Sequence, residues 1–165
     1  MTNTLTEAPA PQMMTPSCNL NVKKILVAVD LSPQSQKTVS FAVSLAKPLG
    51  AYISLVHVCS PEETAEVTDK KDNRFEEPMF VSQERLENLA KEVRKTYPSC
   101  SAHLCVGDPA DQVALMADIL SVDLILVGSH HPKLLGRLLG LDQTERIMHQ
   151  APCPVLAYSS NTSRS

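Results

Sequence analysis

The chain predicts an α/β fold built on a parallel sheet. Five short apolar runs alternate with four stretches of helical period. The runs are nearly continuous in apolar residues, as in strands buried on both faces. Aromatics make up only 4% of the sequence and Trp is absent. Leu, Val, Ile and Ala must therefore fill the core, a composition suited to helices covering a parallel sheet.

The first strand is Lys24-Ile25-Leu26-Val27-Ala28-Val29-Asp30. Ser32-Pro33 predicts an N-cap followed by proline at the first helical position. Val39, Ala42, Val43, Ala46 and Leu49 recur at helical spacing, and Gly50 ends that helix. The second strand is Tyr52 to Val58. From Cys59 to Met79 the chain is charged and lacks an apolar period. This 60–79 excursion is expected to be a solvated surface connection, with a functional lid as the alternative. Leu86, Leu89, Ala90 and Val93 mark a second helix, ended by Pro98. The third strand runs roughly from Ser101 to Val106. Gly107-Asp108-Pro109 turns into a third helix, with Asp108 as N-cap and Pro109 at the first helical position. Val113, Ala117 and Leu120 should face the sheet. A fourth strand, Leu124-Ile125-Leu126-Val127, ends in Gly128-Ser129. A polar loop with Lys133 and Arg137 follows, then a helical pattern from Asp142 to Gln150 and a last strand, Val155-Leu156-Ala157-Tyr158.

A length of 165 residues allows one domain and little room for a second. Residues 1–21 are expected to be a flexible tail, 22–159 the domain, and 160–165 a C-terminal tail. A formal charge of -3 without a basic stripe argues against nucleic acid as a partner. No apolar stretch is long enough to cross a bilayer, and the first residues lack the pattern of a signal peptide. Five scattered cysteines, Cys18, Cys59, Cys100, Cys105 and Cys153, have no metal-ligand spacing and suit a reducing cytoplasm.

Several of these pieces together resemble the universal stress protein family (the UspA domain). They are the first strand, Gly107-Asp108-Pro109-Ala110, Asp123 through Ser129, Glu145-Arg146-Ile147, and Ala151-Pro152-Cys153-Pro154-Val155-Leu156. The resemblance covers residues 22–159. It implies a Rossmann-like sheet of order 3-2-1-4-5 with helices on both faces, similar to adenine nucleotide alpha hydrolases. Ligands would bind at the switch between strands one and four, in keeping with the general rule for open parallel sheets. It assigns ligand contacts to Asp30, Val58, Val127, Gly128, Ser129, His131, Leu141, Asp142 and Gln143. It also implies a homodimer paired through Val155, Leu156 and Ala157.

The phosphate loop departs from the family pattern. Nucleotide-binding members resemble Gly-x-x-Gly, nine residues, then Gly-Ser or Gly-Thr. Aligned without gaps, this chain keeps Gly128, has His131 at the second glycine, and has Leu141-Asp142 at the closing pair. A shift of one residue brings Gly140 to the third glycine but leaves Leu141 where a hydroxyl is expected. Glycines let backbone N–H groups approach phosphate, and a Leu side chain obstructs that approach. Asp142 adds charge repulsion, about 1 kcal/mol at 4 Å in water and about 4 kcal/mol at a partly buried site. An exposed helix N-terminus offsets only about 0.3–1 kcal/mol of this, unless Lys133, Arg137 or a metal compensates. Asp142 and Glu145 also have capping-box spacing, so the chain is expected to supply its own carboxylate where relatives hold phosphate, with a functional acid as the alternative.

The base side is better kept. Asp30 and Val58 match positions resembling the family's base and ribose contacts. Asp30 also suits an Asx turn, and Val58 suits strand-end packing. The expected ligand is adenosine, AMP or another adenine-containing molecule, with AMP favoured over ATP.

No catalytic set can be assembled from linear order, and no metal site is expected. His130-His131 lacks partners at ligand spacing, and exposed imidazoles are the expectation there. His57 reads as a packed or strand-end histidine, and Cys153 as a small buried hydrophobe. The expectation is a non-enzymatic, cytoplasmic regulatory domain acting through an unidentified protein partner. Two alternatives stay open, an ATP-binding stress protein with slow hydrolysis and a ligand-free structural dimer.

Overall fold

A computed structural model of the chain describes residues 21–59, 78–128 and 143–159. The elements alternate as β1 (Lys24–Ala28), α1 (Ser35–Leu49), β2 (Tyr52–Cys59), α2 (Pro78–Thr96) and β3 (Cys100–Val106). They continue as α3 (Pro109–Leu120), β4 (Leu124–Gly128), α4 (Gln143–Gln150) and β5 (Val155–Tyr158). All neighbouring strands are parallel, in the order β3-β2-β1-β4-β5. The order expected from the family resemblance is therefore the order observed.

The continuous apolar runs exist because both faces of the sheet are covered. Ile25, Val27, Ile53 and Leu55 pack with Val39, Ala42 and Ala46 of α1 and with Leu86, Ala90 and Val93 of α2. Leu26, Val56, Ile125 and Val127 face the other way, against Ala110, Val113 and Ala117 of α3 and Ile147 of α4. Each fully buried Leu, Ile or Val contributes roughly 1.5–3 kcal/mol relative to its exposed state. The exposed charged residues fall on the outer sides of these helices.

The helix ends follow local chemistry. Gly50 closes α1 in the left-handed conformation at φ 61°, and its N–H reaches back to the Lys47 carbonyl. Asp108 caps α3 by accepting from the Ala110 and Asp111 N–H groups, with Pro109 following it, as expected.

Several boundaries differ from the expected ones. Strand β1 ends at Ala28, two residues before Asp30, and β2 runs one residue on, to Cys59. Helix α1 starts at Ser35 with Gln34 as its cap residue, so Ser32-Pro33 does not form the expected cap. The Ser32 hydroxyl instead donates to Asp30. Met79 belongs to α2, because Pro78 opens that helix well before its apolar stripe begins. Strand β3 starts one residue early, at Cys100. The two tails, most of the 60–79 excursion, and the Ser129 to Asp142 loop lie outside the described residues. Among the described residues, no helix is long and apolar enough to cross a membrane.

Candidate functional site

The carboxyl ends of β1, β2 and β4 lie side by side in the sheet. Ala28 pairs with Val56 on one side and Val127 on the other. The Val29 N–H, just past β1, donates to the Val56 carbonyl at 2.9 Å. Of the expected contacts, Asp30, Val58, Val127 and Gly128 are thereby brought to one end of the sheet. Ala28 and Val58 pack with Val127 on the face covered by α3 and α4. Val127 is only 3% exposed, so its side chain serves the core. Gly128 pairs with Tyr158 of β5, and Gln143 is exposed at the start of α4. Ser129, His131, Leu141 and Asp142 lie outside the described residues, as do the capping box and the His130-His131 pair.

Asp30 is the best-defined polar group at this end. Its Oδ1 accepts from the Ser32 N–H at 3.0 Å and from the Ser32 hydroxyl at 2.7 Å. The buried Ser35 hydroxyl is a third donor to the same oxygen. Ser35 Oγ also accepts from the Asp30 N–H at 3.2 Å. The expected Asx turn is thus present, and a second serine extends it into α1. Donors converging on one oxygen orient a carboxylate, leaving it an acceptor of fixed direction. Between Asp30 and Ser32, Leu31 is left-handed at φ 56°, a conformation that L side chains avoid.

Two further contacts frame the site. His57 Nδ1 donates to the Val29 carbonyl at 2.8 Å, so it is a strand-end histidine as expected. Arg146 of α4 grips Asp108 with both terminal guanidinium nitrogens, Nη1 at 2.7 Å and Nη2 at 3.0 Å. This pair ties α4, which opens with Gln143, to the β3–α3 turn. The guanidinium, aided by the Ala110 and Asp111 N–H groups, holds the Asp108 carboxyl below the usual range. Burial pushes the thiols the other way, with Cys100 raised to about 11 and Cys105 and Cys153 also raised. Cys153 packs against the α3–α4 core but is half-buried, short of the buried hydrophobe expected. Among the described residues, no cluster of His, Cys, Asp and Glu could hold a metal ion.

An 820 Å³ groove lies on the opposite face, between α1 and α2. It shares Leu31, Ser32 and Ser35 with the Asp30 loop but none of the strand ends of β2 or β4. The sheet terminus therefore remains the better match to the expected contacts.

Ser35, Arg85 of α2, whose Nη2 donates to the Leu31 carbonyl at 2.9 Å, and Arg146 make contacts at this end of the sheet that the sequence expectations did not include. The spacing Asp30-x-Ser32-x-x-Ser35 carried a signal for the first. Nothing local signalled the other two, because they act across 54 and 38 residues of chain.

Strand β5 is a sheet edge, as expected. Leu156 is 38% exposed, Ala157 is exposed and Val155 is half-buried. Tyr158 stacks on Phe41 of α1 with ring centroids 4.6 Å apart, covering one side of this edge.

A model described as the universal stress protein family matches residues 21–159. Universal stress protein A homolog 1 of Coxiella burnetii is 33% identical over 147 residues, covering 84% of this chain and 96% of that protein. Among solved structures, an Archaeoglobus fulgidus universal stress protein in complex with dAMP gives a TM-score of 0.60 at 21% identity. It covers 82% of this chain and 96% of its own. A family member from Arabidopsis thaliana with AMP bound gives 0.59 at 19% identity, covering 85% and 93%. The chain belongs to the universal stress protein family.

Proposed function

We propose that this chain is a non-enzymatic, cytoplasmic stress-response domain that binds adenosine, AMP or another adenine-containing ligand. The site is the switch between β1 and β4, and the working unit is a homodimer paired through Val155, Leu156 and Ala157. The observation that carries the ligand reading is the Asp30 carboxylate, oriented by Ser32 and Ser35 at the carboxyl end of β1. A carboxylate so held suits the hydroxyls of a ribose, and half-buried Val58 offers an apolar wall for a base. The dAMP- and AMP-bound relatives support a nucleoside monophosphate as the ligand class. Leu141 and Asp142 stand where family members present a small, neutral closing pair, which disfavours a triphosphate. Scattered cysteines support a reducing compartment. Activity would pass to an unidentified protein partner through ligand-dependent or constitutive contacts.

Amide chemical-shift mapping on addition of AMP tests the site. Shifts should cluster at Asp30, Val58, Gly128 and Gln143. Shifts confined to the α1–α2 groove, or none at millimolar AMP, would sink the reading.

A further inference from the structure

The peptide unit joining Leu31 to Ser32 is held at both ends. Its N–H donates to Asp30 Oδ1 at 3.0 Å. Its carbonyl oxygen, that of Leu31, accepts from Arg85 Nη2 at 2.9 Å. Arg85 comes from α2, so one end is tied within the loop and the other to a separate element. Leu31 itself lies in the left-handed region at φ 56°, where an L residue persists only if its surroundings over-determine it. Its side chain packs partly against the α1–α2 core, which adds a third restraint.

Rotation of this peptide plane would break both hydrogen bonds together. The Ser32 N–H would leave the carboxylate, and Asp30 would lose one of the donors that aim it. We propose that Arg85 is a positioning residue of the ligand site, holding Leu31 left-handed so that the loop presents Asp30 in one orientation. The assignment rests on the adenine-ligand reading for its consequence, and on the loop geometry alone for its mechanism. Its effect reaches ligand through Asp30, without contact between Arg85 and the ligand. Helix α2 thereby becomes mechanically linked to the base side of the site. Any partner that displaced Arg85 from the Leu31 carbonyl would loosen ligand binding.

The test compares wild type with Arg85→Met, Arg85→Lys and the double variant Leu31→Gly/Arg85→Met, using AMP as the probe. Arg85→Met keeps bulk and removes every donor. It should speed exchange of the Ser32 amide and weaken AMP binding by about 3–10-fold, the effect of one hydrogen bond. Arg85→Lys, which can still donate, should stay within about twofold of wild type. Glycine accepts positive φ without strain, so Arg85→Met should cost less affinity in the Leu31→Gly background than with leucine. Unchanged Ser32 exchange in Arg85→Met overturns the proposal, as do equal losses for Met and Lys. Failure of wild type to bind AMP would count against the adenine reading alone, because Ser32 exchange in the free protein still decides the role of Arg85.

Discussion

Replacing Ser35 by alanine should reveal how much the Asp30 turn contributes to the fold and to the site. Ser35 is 4% exposed, and its hydroxyl both accepts from the Asp30 N–H and donates to the Asp30 carboxylate. A hydrogen bond to a charged group contributes about 1.5–3 kcal/mol. Alanine returns up to about 0.5 kcal/mol through better helix propensity. The expected net loss is therefore about 1–3 kcal/mol, or roughly 2–12 °C in melting temperature for a chain of this size. Urea unfolding should show a lower midpoint at unchanged m, because the surface buried on folding is the same. Ser40→Ala is the control, since its exposed hydroxyl only bonds back to the Gln36 carbonyl. That variant should stay within about 0.5 kcal/mol of wild type. AMP affinity should fall in Ser35→Ala and hold in Ser40→Ala. Equal stability of the two variants would refute the reasoning, because the Asp30–Ser35 bonds would then carry no net energy.

Three other expectations concern assembly, acid and thiols. Leu156→Lys puts a charge on the exposed edge strand β5, and sedimentation should show the proposed dimer dissociating. A monomeric wild type at micromolar concentration, or a fully dimeric variant, goes against pairing through β5. Asp108 has its folded pKa lowered, so its contribution is present above about pH 4 and lost as pH falls through the lowered value. The midpoint difference between wild type and Asp108→Asn, which keeps a capping side chain, should thus shrink from pH 7 to pH 3. A constant difference would assign the effect to packing. Cys100, raised to about 11 chiefly by burial, should alkylate at pH 8.5 roughly 100-fold more slowly in the folded protein than in urea. Equal rates would mean that the thiol is open to solvent.

Where the chain's physics is local, the sequence was readable. The apolar run of β1, the Gly50 stop and the Asp108-Pro109 start each express a rule spanning a few residues, and each is observed. The start of α1 was misread although its signals are local too. Ser32 has two possible uses, capping the helix or bonding Asp30, and the carboxylate won. Met79 lies in α2 although Met79 to Arg85 presents no buried apolar stripe that would announce a helix. The left-handed Leu31 carries no glycine to announce it, and its restraint by Arg85 spans the molecule. The Arg146–Asp108 pair was hidden for the same reason, although both residues sat in motifs already noted. The order of strands was readable only through resemblance to a family, since periodicity alone does not order a parallel sheet.

Calorimetric titration of the wild-type protein with AMP, adenosine and ATP, each with and without magnesium, bears most directly on the central claim. AMP or adenosine should bind at least as well as ATP, because Asp30 and Val58 retain the base side while Leu141 and Asp142 oppose the outer phosphates. The double variant Leu141→Gly/Asp142→Ser should shift preference towards ATP, and if Asp142 caps the helix as its spacing predicts, the change costs about 1 kcal/mol of stability. Tight ATP binding by the wild type would contradict the account and make Lys133, Arg137 or a metal the compensating charge.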